Sequence, residues 1–267
     1  MNTSIQTYNI ILTKVQFFFN QLKLKFEKHT GRKLAQSPEQ TIALSLWKQQ
    51  NGIPTKKAVW KIFGVKASYK TLVVNMNRLA LHALLMLKCI LKWNQKDSHV
   101  IKHTDSTDVH VCLVKNARHH KTMKPFASWG HGPKGWYYGL KMSITTDLNR
   151  NMLAVRFGSA NGSDRETFLK MNDELLGIFV ADSGYISKEL ERKFYIENKR
   201  ILFAKPRANM KKLITAFQKK LYDTRMVIEL NFRNLKMFHD LETSLPRSID
   251  GYLGNYVYSL LTYVLGE

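Results

Sequence analysis

The sequence predicts an all-α segment followed by an α/β domain in which a mixed five-stranded sheet is flanked by helices. Three observations carry this. Residues 5 to 98 hold helix caps and helical apolar spacing; apolar alternation of period two begins at His99; and beyond Asn161-Gly162 short apolar runs alternate with capped helical segments. The 267 residues suffice for one large domain or two smaller ones, and 44% hydrophobic content excludes wholesale disorder.

In the first segment, Ser37, Pro38 and Gln40 form an N-cap, a proline at the first helical position and a capping-box glutamine ahead of Ile42, Ala43, Leu46 and Trp47. Asn51-Gly52 and Pro54 end that helix. Thr55 then caps Lys56 to Phe63, Gly64 closes it, and Ser68 caps a longer helix towards Trp93. Residues 55 to 78 have helix-turn-helix proportions, with Lys66, Lys70, Asn75, Asn77 and Arg78 available to DNA; an ordinary helical hairpin has the same proportions.

From His99 to Val114, and then through Trp136, Tyr138, Leu140, Met142 and Ile144, the period is two. A turn at Asp147 to Asn151 leads to a third alternating run, Met152 to Gly158, giving three antiparallel strands. Ser163 and Glu166 form a capping box for a helix to Leu176, and Ile178 to Ala181 is a short buried strand. Ser187 caps a helix to about Asn198, Ile201 to Ala204 is the fifth strand, and the chain from Asn209 is helical with a break near Asp223. Three strands, helix, strand, helix, strand, helices is the order of a ribonuclease-H-like fold. The expected domains are therefore 1–98 and 99–267, divided by the change of period alone.

Charge narrows the partner. Lys and Arg number 42 against 20 acids, a net of +22 that points to a polyanion, nucleic acid ahead of an anionic membrane surface. Residues 1–98 contain 16 of the bases and only three acids, Glu27, Glu39 and Asp97, so charge density is greatest there. Cys89 and Cys112 stand apart in apolar runs, which argues against a disulfide framework or a zinc knuckle. Met1 to Asn20 lacks the pattern of a signal peptide, and the apolar stretches Leu79 to Trp93 and Tyr252 to Leu265 are interrupted and short for a bilayer span. No membrane association and a cytoplasmic location are expected.

Three acids fall where this topology converges. Asp105 is mid-strand in the first strand, Asp182 ends the fourth, and Glu229 lies on the helix after the fifth. Carboxylates alone suit hard divalent ions such as Mg2+, and two ions about 4 Å apart activate an attacking hydroxyl and stabilise the leaving oxygen of a phosphodiester. Tyr222, Arg225 and Lys236 stand seven before, four before and seven after Glu229, within roughly 60° of arc if the helix extends back to Tyr222. Val227, Ile228, Leu235 and Phe238 form the opposite, apolar arc. Alone, this pattern also fits an exposed helix with an Arg225–Glu229 ion pair.

The boxes Asp105-Ser106-Thr107, Asp182-Ser183-Gly184-Tyr185 and Tyr222-x2-Arg225-x3-Glu229-x6-Lys236 resemble those of the DDE transposases of bacterial insertion sequences, the last being the YREK signature. The resemblance covers about 99–267, including Gly135 to Lys141 and Gly158 to Arg165. It implies that Asp105 bridges two Mg2+ ions (Mn2+ substituting), that Asp182 and Glu229 each complete one shell, and that Tyr222, Arg225 and Lys236 hold end phosphates. It further implies a bacterial homodimer on paired ends that nicks terminal inverted repeats and joins the freed 3′-hydroxyl to target DNA. A transposase-derived non-catalytic regulator, and a nuclease or resolvase of the same fold, are the rival readings.

Other candidates carry other roles. Asp108 is at an odd offset from Asp105 and so on the opposite strand face; His103, two before Asp105, is a satisfied histidine or a ligand. Arg118, His119, His120, Lys121 and Lys124 form a basic loop with Trp129 and Trp136 beyond, suited to gripping a DNA end and stacking a displaced base, or else solvated loop and core tryptophan. Asp164 reads as a helix-start acid rather than a metal ligand.

Overall fold

A computed structural model describes residues 3–25, 34–206, 210 and 214–266. The chain forms two compact units, Met1–Ile90 with Asn234–Glu267, and Leu91–Arg233. This differs from the expected break at 98, because the last helix belongs with the amino-terminal helices.

The first unit begins with α1 (Thr3–Gln21), which buries Ile11, Val15, Phe18 and Phe19 at helical spacing. In α2 (Pro38–Gln50), Ser37 and Gln40 make the expected capping box, and Thr41 to Gln49 are all buried, so this helix is surrounded by others. Thr55 caps α3 (Lys56–Ile62), and Gly64 takes the left-handed φ of +53° that ends it. Next comes α4 (Tyr69–Lys96), longer than the expected apolar stretch; it is long and apolar enough to cross a bilayer by length and composition. Its apolar residues divide between a buried stripe, Leu72, Met76, Leu79, Ala83 and Met86, and exposed Val74, Leu81 and Leu85.

The second unit carries the sheet. Its strands are β1 (Ile101–His110), β2 (Ser128–Gly132), β3 (Gly135–Asp147) and β4 (Met152–Ser159). After α5 (Asp164–Met171) come β5 (Ile178–Ala181), α6 (Lys188–Asn198) and β6 (Ile201–Ala204), then α7 (Ala216–Asp223) and α8 (Met226–Phe238). The bonded order is β2-β3-β1-β5-β6, with β4 also on β3. β1 is antiparallel to β3 and parallel to β5, and β6 continues the parallel side. This mixed sheet with helices matches the expected ribonuclease-H-like class, with one strand more: β2 pairs with the first residues of β3, end to end with β4. The core packs Phe168 of α5 and Phe194 of α6 on Phe179 of β5, with ring centroids 4.9 to 5.7 Å apart.

One expected helix changes. α5 stops at Met171 rather than Leu176, because buried Asn172 turns its amide back onto the Phe168 carbonyl while accepting from Thr145. Ser163 caps α5 through the Glu166 N–H, without the reciprocal half of the box. The expected helix start at Asn209 lies outside the described residues.

The chain closes with α9 (Ile249–Gly266), which packs on α2. Its Tyr258 hydroxyl donates to the Met76 carbonyl at 2.7 Å, and its Asn255 accepts from Gln49.

Candidate active site

The parallel register of β1 on β5 pairs Ile101 with Ile178, Lys102 with Phe179 and His103 with Val180. Continued two residues, it sets Asp182 beside Asp105. Asp182 follows β5 directly and caps the 3-10 turn Ser183–Tyr185 through the Ser183 N–H. The end of a parallel strand is where an α/β sheet opens to solvent and can hold a ligand.

Arg225 joins the third acid to this pair. Its guanidinium donates to Asp105 Oδ2 at 2.6 Å and to Glu229 Oε1 at 2.9 Å. Asp105 also accepts the Ser106 N–H through Oδ1. Burial pushes the Asp105 carboxyl up to about 6; Arg225 and the Ser106 N–H pull against that, and Asp182 adds to it. The side chains of Asp105 and Arg225 are 17% and 15% exposed, whereas Glu229 is 58% exposed, so the two arms of the clamp differ in strength.

The break expected near Asp223 is present, so the helix that carries Glu229 does not extend back to Tyr222. α7 ends at Asp223, and Thr224 and Arg225 form a tight turn into α8, with the Arg225 N–H on the Tyr222 carbonyl. Thr224 holds the turn, donating to the Leu221 carbonyl and bonding His103 Nε2 at 2.8 Å. His103 is therefore a buried histidine held through Nε2, and burial pushes it down to about 4. The turn keeps Arg225 within reach of Glu229. Tyr222 lies under two cations, with Lys205 Nζ 4.5 Å and the Arg225 guanidinium carbon 5.7 Å from its ring centre. Lys236, two turns past Glu229, pairs with Glu242 at 2.8 Å. On the apolar arc Ile228 and Leu235 are buried as expected, but Phe238 is exposed, and Phe232 and Asn231 are buried instead.

Sequence reasoning missed a second network. Ser106 Oγ donates to Asp164 Oδ1 at 2.9 Å, and Lys141 Nζ donates to the other Asp164 oxygen at 3.2 Å. Buried Tyr185 lies beside them, its hydroxyl pushed up by burial first and by Asp105 and Asp164 next. Asp164 is thus a helix-start acid that ties α5 to β1 and β3 next to Asp105. The signal was present in Gly158 to Arg165, but only the fold supplies the partners. Asp108 turns away as the odd offset requires, and bonds His110.

The sequence model of one family, described as "Transposase DDE domain", matches residues 95–249. The chain belongs to the transposase DDE domain family. The match spans all three acids of the site. No curated protein matches the chain. Among solved structures, the Mos1 mariner paired-end complex with Mn is 10% identical, over 95% of this chain and 87% of that one, at a TM-score of 0.27. A pre-cleavage Mos1 transpososome is 9% identical over 100% and 98%, at 0.26. Superpositions this loose carry no weight; the strand order read directly from the sheet does.

A transposase DDE domain acts through divalent metal ions, and the donor set fits. It is oxygen only, and a guanidinium already bridges Asp105 and Glu229 as their counter-ion. Of the other expected DNA-contact residues, Lys66 before α4, Lys70 and Arg78 on it, and Arg118 and Lys121 before β2 are exposed, whereas Asn75, Asn77, Tyr222, Arg225 and Lys236 are partly buried. Trp129 and Trp136 are 41% and 64% exposed, which removes the core-tryptophan alternative for both.

Proposed function

We propose that this chain is the transposase of a bacterial insertion sequence of the YREK group. In this reading it binds the terminal inverted repeats of its element, as a cytoplasmic homodimer on paired ends, and performs Mg2+-dependent cleavage and strand transfer. The observation that supports it best is one guanidinium shared by Asp105 and Glu229, with Asp182 in register beside Asp105. Asp105, Asp182 and Glu229 would hold the ions. Bound Mg2+ supplies activation of the attacking water or 3′-hydroxyl and stabilises the leaving oxygen. Arg225, Tyr222 and Lys236 take phosphate oxygens of the end DNA, Arg225 exchanging its carboxylate partners for a nonbridging oxygen. The residues of 55–78 and the Arg118–Lys121 turn hold the flanking duplex. A non-catalytic regulator would have no use for a carboxylate kept desolvated at Asp105, a costly arrangement that a cation relieves.

The test is nicking of end DNA by the full chain with Mg2+. Asp105→Ala, Asp182→Ala and Glu229→Ala should each abolish it while leaving end binding largely intact. An Asp182→Ala protein that cut at the wild-type rate would remove the triad assignment. Wild type that folds and binds yet never cuts with any divalent ion would favour the regulator.

A further inference from the structure

A second polar site lies wholly within the unit of residues 1–90 and 234–267, and shares no residue with the carboxylates. A cleft of about 360 Å³ opens between the end of α2, the start of α3, the first turns of α4 and the 243–248 segment that leads into α9. That volume is within the range of small-ligand sites. Three cations line it, Lys48, Lys56 and Arg247, and among the described residues no acid does.

The two lysines are held, not merely nearby. Lys48 is 7% exposed, and its ammonium donates to Gln49 Oε1 at 3.0 Å and to Asp240 Oδ2 at 3.3 Å. Gln49 is fixed in turn by its bond to Asn255. Lys56 donates to Asn77 Oδ1 at 2.6 Å, a neutral acceptor that leaves its charge unbalanced. Burial, and then the charge of Lys48, push the Lys56 ammonium down to about 8. Asp240 offsets Lys48, whereas among the described residues no acid pairs with Lys56 or Arg247. The desolvated Lys56 ammonium, raised further in energy by the charge of Lys48, is stabilised by an anion in the cleft. Tyr69 and Pro246 supply apolar wall beside the cations.

We propose that this cleft binds a nucleotide, its phosphate held by Lys48, Lys56 and Arg247 and its sugar or base against Tyr69 and Pro246. The nucleotide is a free mononucleotide rather than part of a DNA strand. Binding here needs no divalent ion and no strand cleavage, so the site stands or falls apart from the carboxylate reading.

The test uses the full chain in chelator. Adenosine 5′-monophosphate is titrated calorimetrically, with inorganic phosphate as competitor, and a short duplex by fluorescence anisotropy across a salt series. The variants are Lys56→Gln and Arg247→Gln, with Lys188→Gln on exposed α6 as control. Loss of a charged phosphate contact should weaken binding about tenfold or more in both variants, with the control within about twofold. If the mononucleotide binds and phosphate displaces it, the site takes free nucleotide. If only the duplex responds, its affinity falling and its salt slope dropping by about one per variant, these cations belong to the duplex contact of residues 55–78 and the nucleotide proposal is overturned. Should Lys56→Gln fail to fold, Arg247→Gln on the exposed rim carries the same test. Equal affinity of wild type and both variants for the mononucleotide, or no binding of it by wild type, also overturns the proposal.

Discussion

Asp105 is held at a cost, and Asp105→Asn should expose it. In the folded protein its carboxyl is pushed from 3.8 to about 6, chiefly by burial. At about 1.4 kcal/mol per tenfold change in the proton equilibrium, ionised Asp105 costs the metal-free fold about 3 kcal/mol at neutral pH. The folded state therefore binds more protons than the unfolded state between about pH 4 and 6. This contribution to stability is fully present below about pH 4 and lost as pH rises through about 6. Asparagine mimics the protonated acid but offers one acceptor oxygen where the carboxylate serves both Ser106 and Arg225. With that discount, the variant should be more stable than wild type by about 1–2 kcal/mol at pH 7.5 in chelator. Urea unfolding from pH 4.5 to 7.5 reads this directly. Wild type should lose stability across the range and regain it when Mg2+ is added at pH 7.5, while Asp105→Asn should do neither. A variant no more stable than wild type at pH 7.5, with the same pH slope, would refute the claim that Asp105 is a strained ligand.

Arg225→Ala should destabilise the fold by about 2–4 kcal/mol because it strands mostly buried Asp105, whereas Glu229→Ala, whose partner arm is exposed, should cost under about 1 kcal/mol; chemical denaturation compares them. In end-binding assays Arg225→Ala and Lys236→Ala should each weaken the complex and lower strand transfer, with less complete loss of hydrolysis than the acid variants show. His103→Ala removes the bond to Thr224 that fixes the turn before α8 and should cost about 1–3 kcal/mol, with no new titration near neutral pH since the ring is already neutral there. Residues 1–98 expressed alone should not unfold cooperatively, because Tyr258 and Asn255 of α9 complete that unit; circular dichroism melts against the full chain decide it.

What the sequence made legible was local. The caps at Ser37, Thr55 and Ser187 and the strands Ile178–Ala181 and Ile201–Ala204 appear as expected, since each rests on side chains within a few residues of one another. β2 was not legible: Ser-Trp-Gly-His-Gly has no alternating apolar face, and its strand character comes from the partner. Two glycines show why. A Cβ at Gly139 would lie 2.1 Å from the Val109 carbonyl oxygen, and one at Gly130 would meet the Tyr137 ring at 2.7 Å, so both small residues serve close approach between strands. The place of α9 on α2 was equally hidden, because period shows a helix's face and not its neighbour. The three acids could be read from order and spacing. The break near Asp223 and the Arg225–Glu229 arm could be read too; the Arg225–Asp105 arm, the His103–Thr224 bond and the Ser106–Asp164–Lys141 network could not, for each joins residues far apart in the chain.

The most direct measurement of the central claim is the set of DNA products formed by the full chain with Mg2+ on a fragment carrying the neighbouring inverted repeats, mixed with a target plasmid. Nicks at the element's ends and 3′ ends joined covalently to the plasmid, both absent with Asp105→Ala, are the predicted result. Nicks without joined product would make this a nuclease or resolvase, and binding without any nick would contradict catalysis altogether.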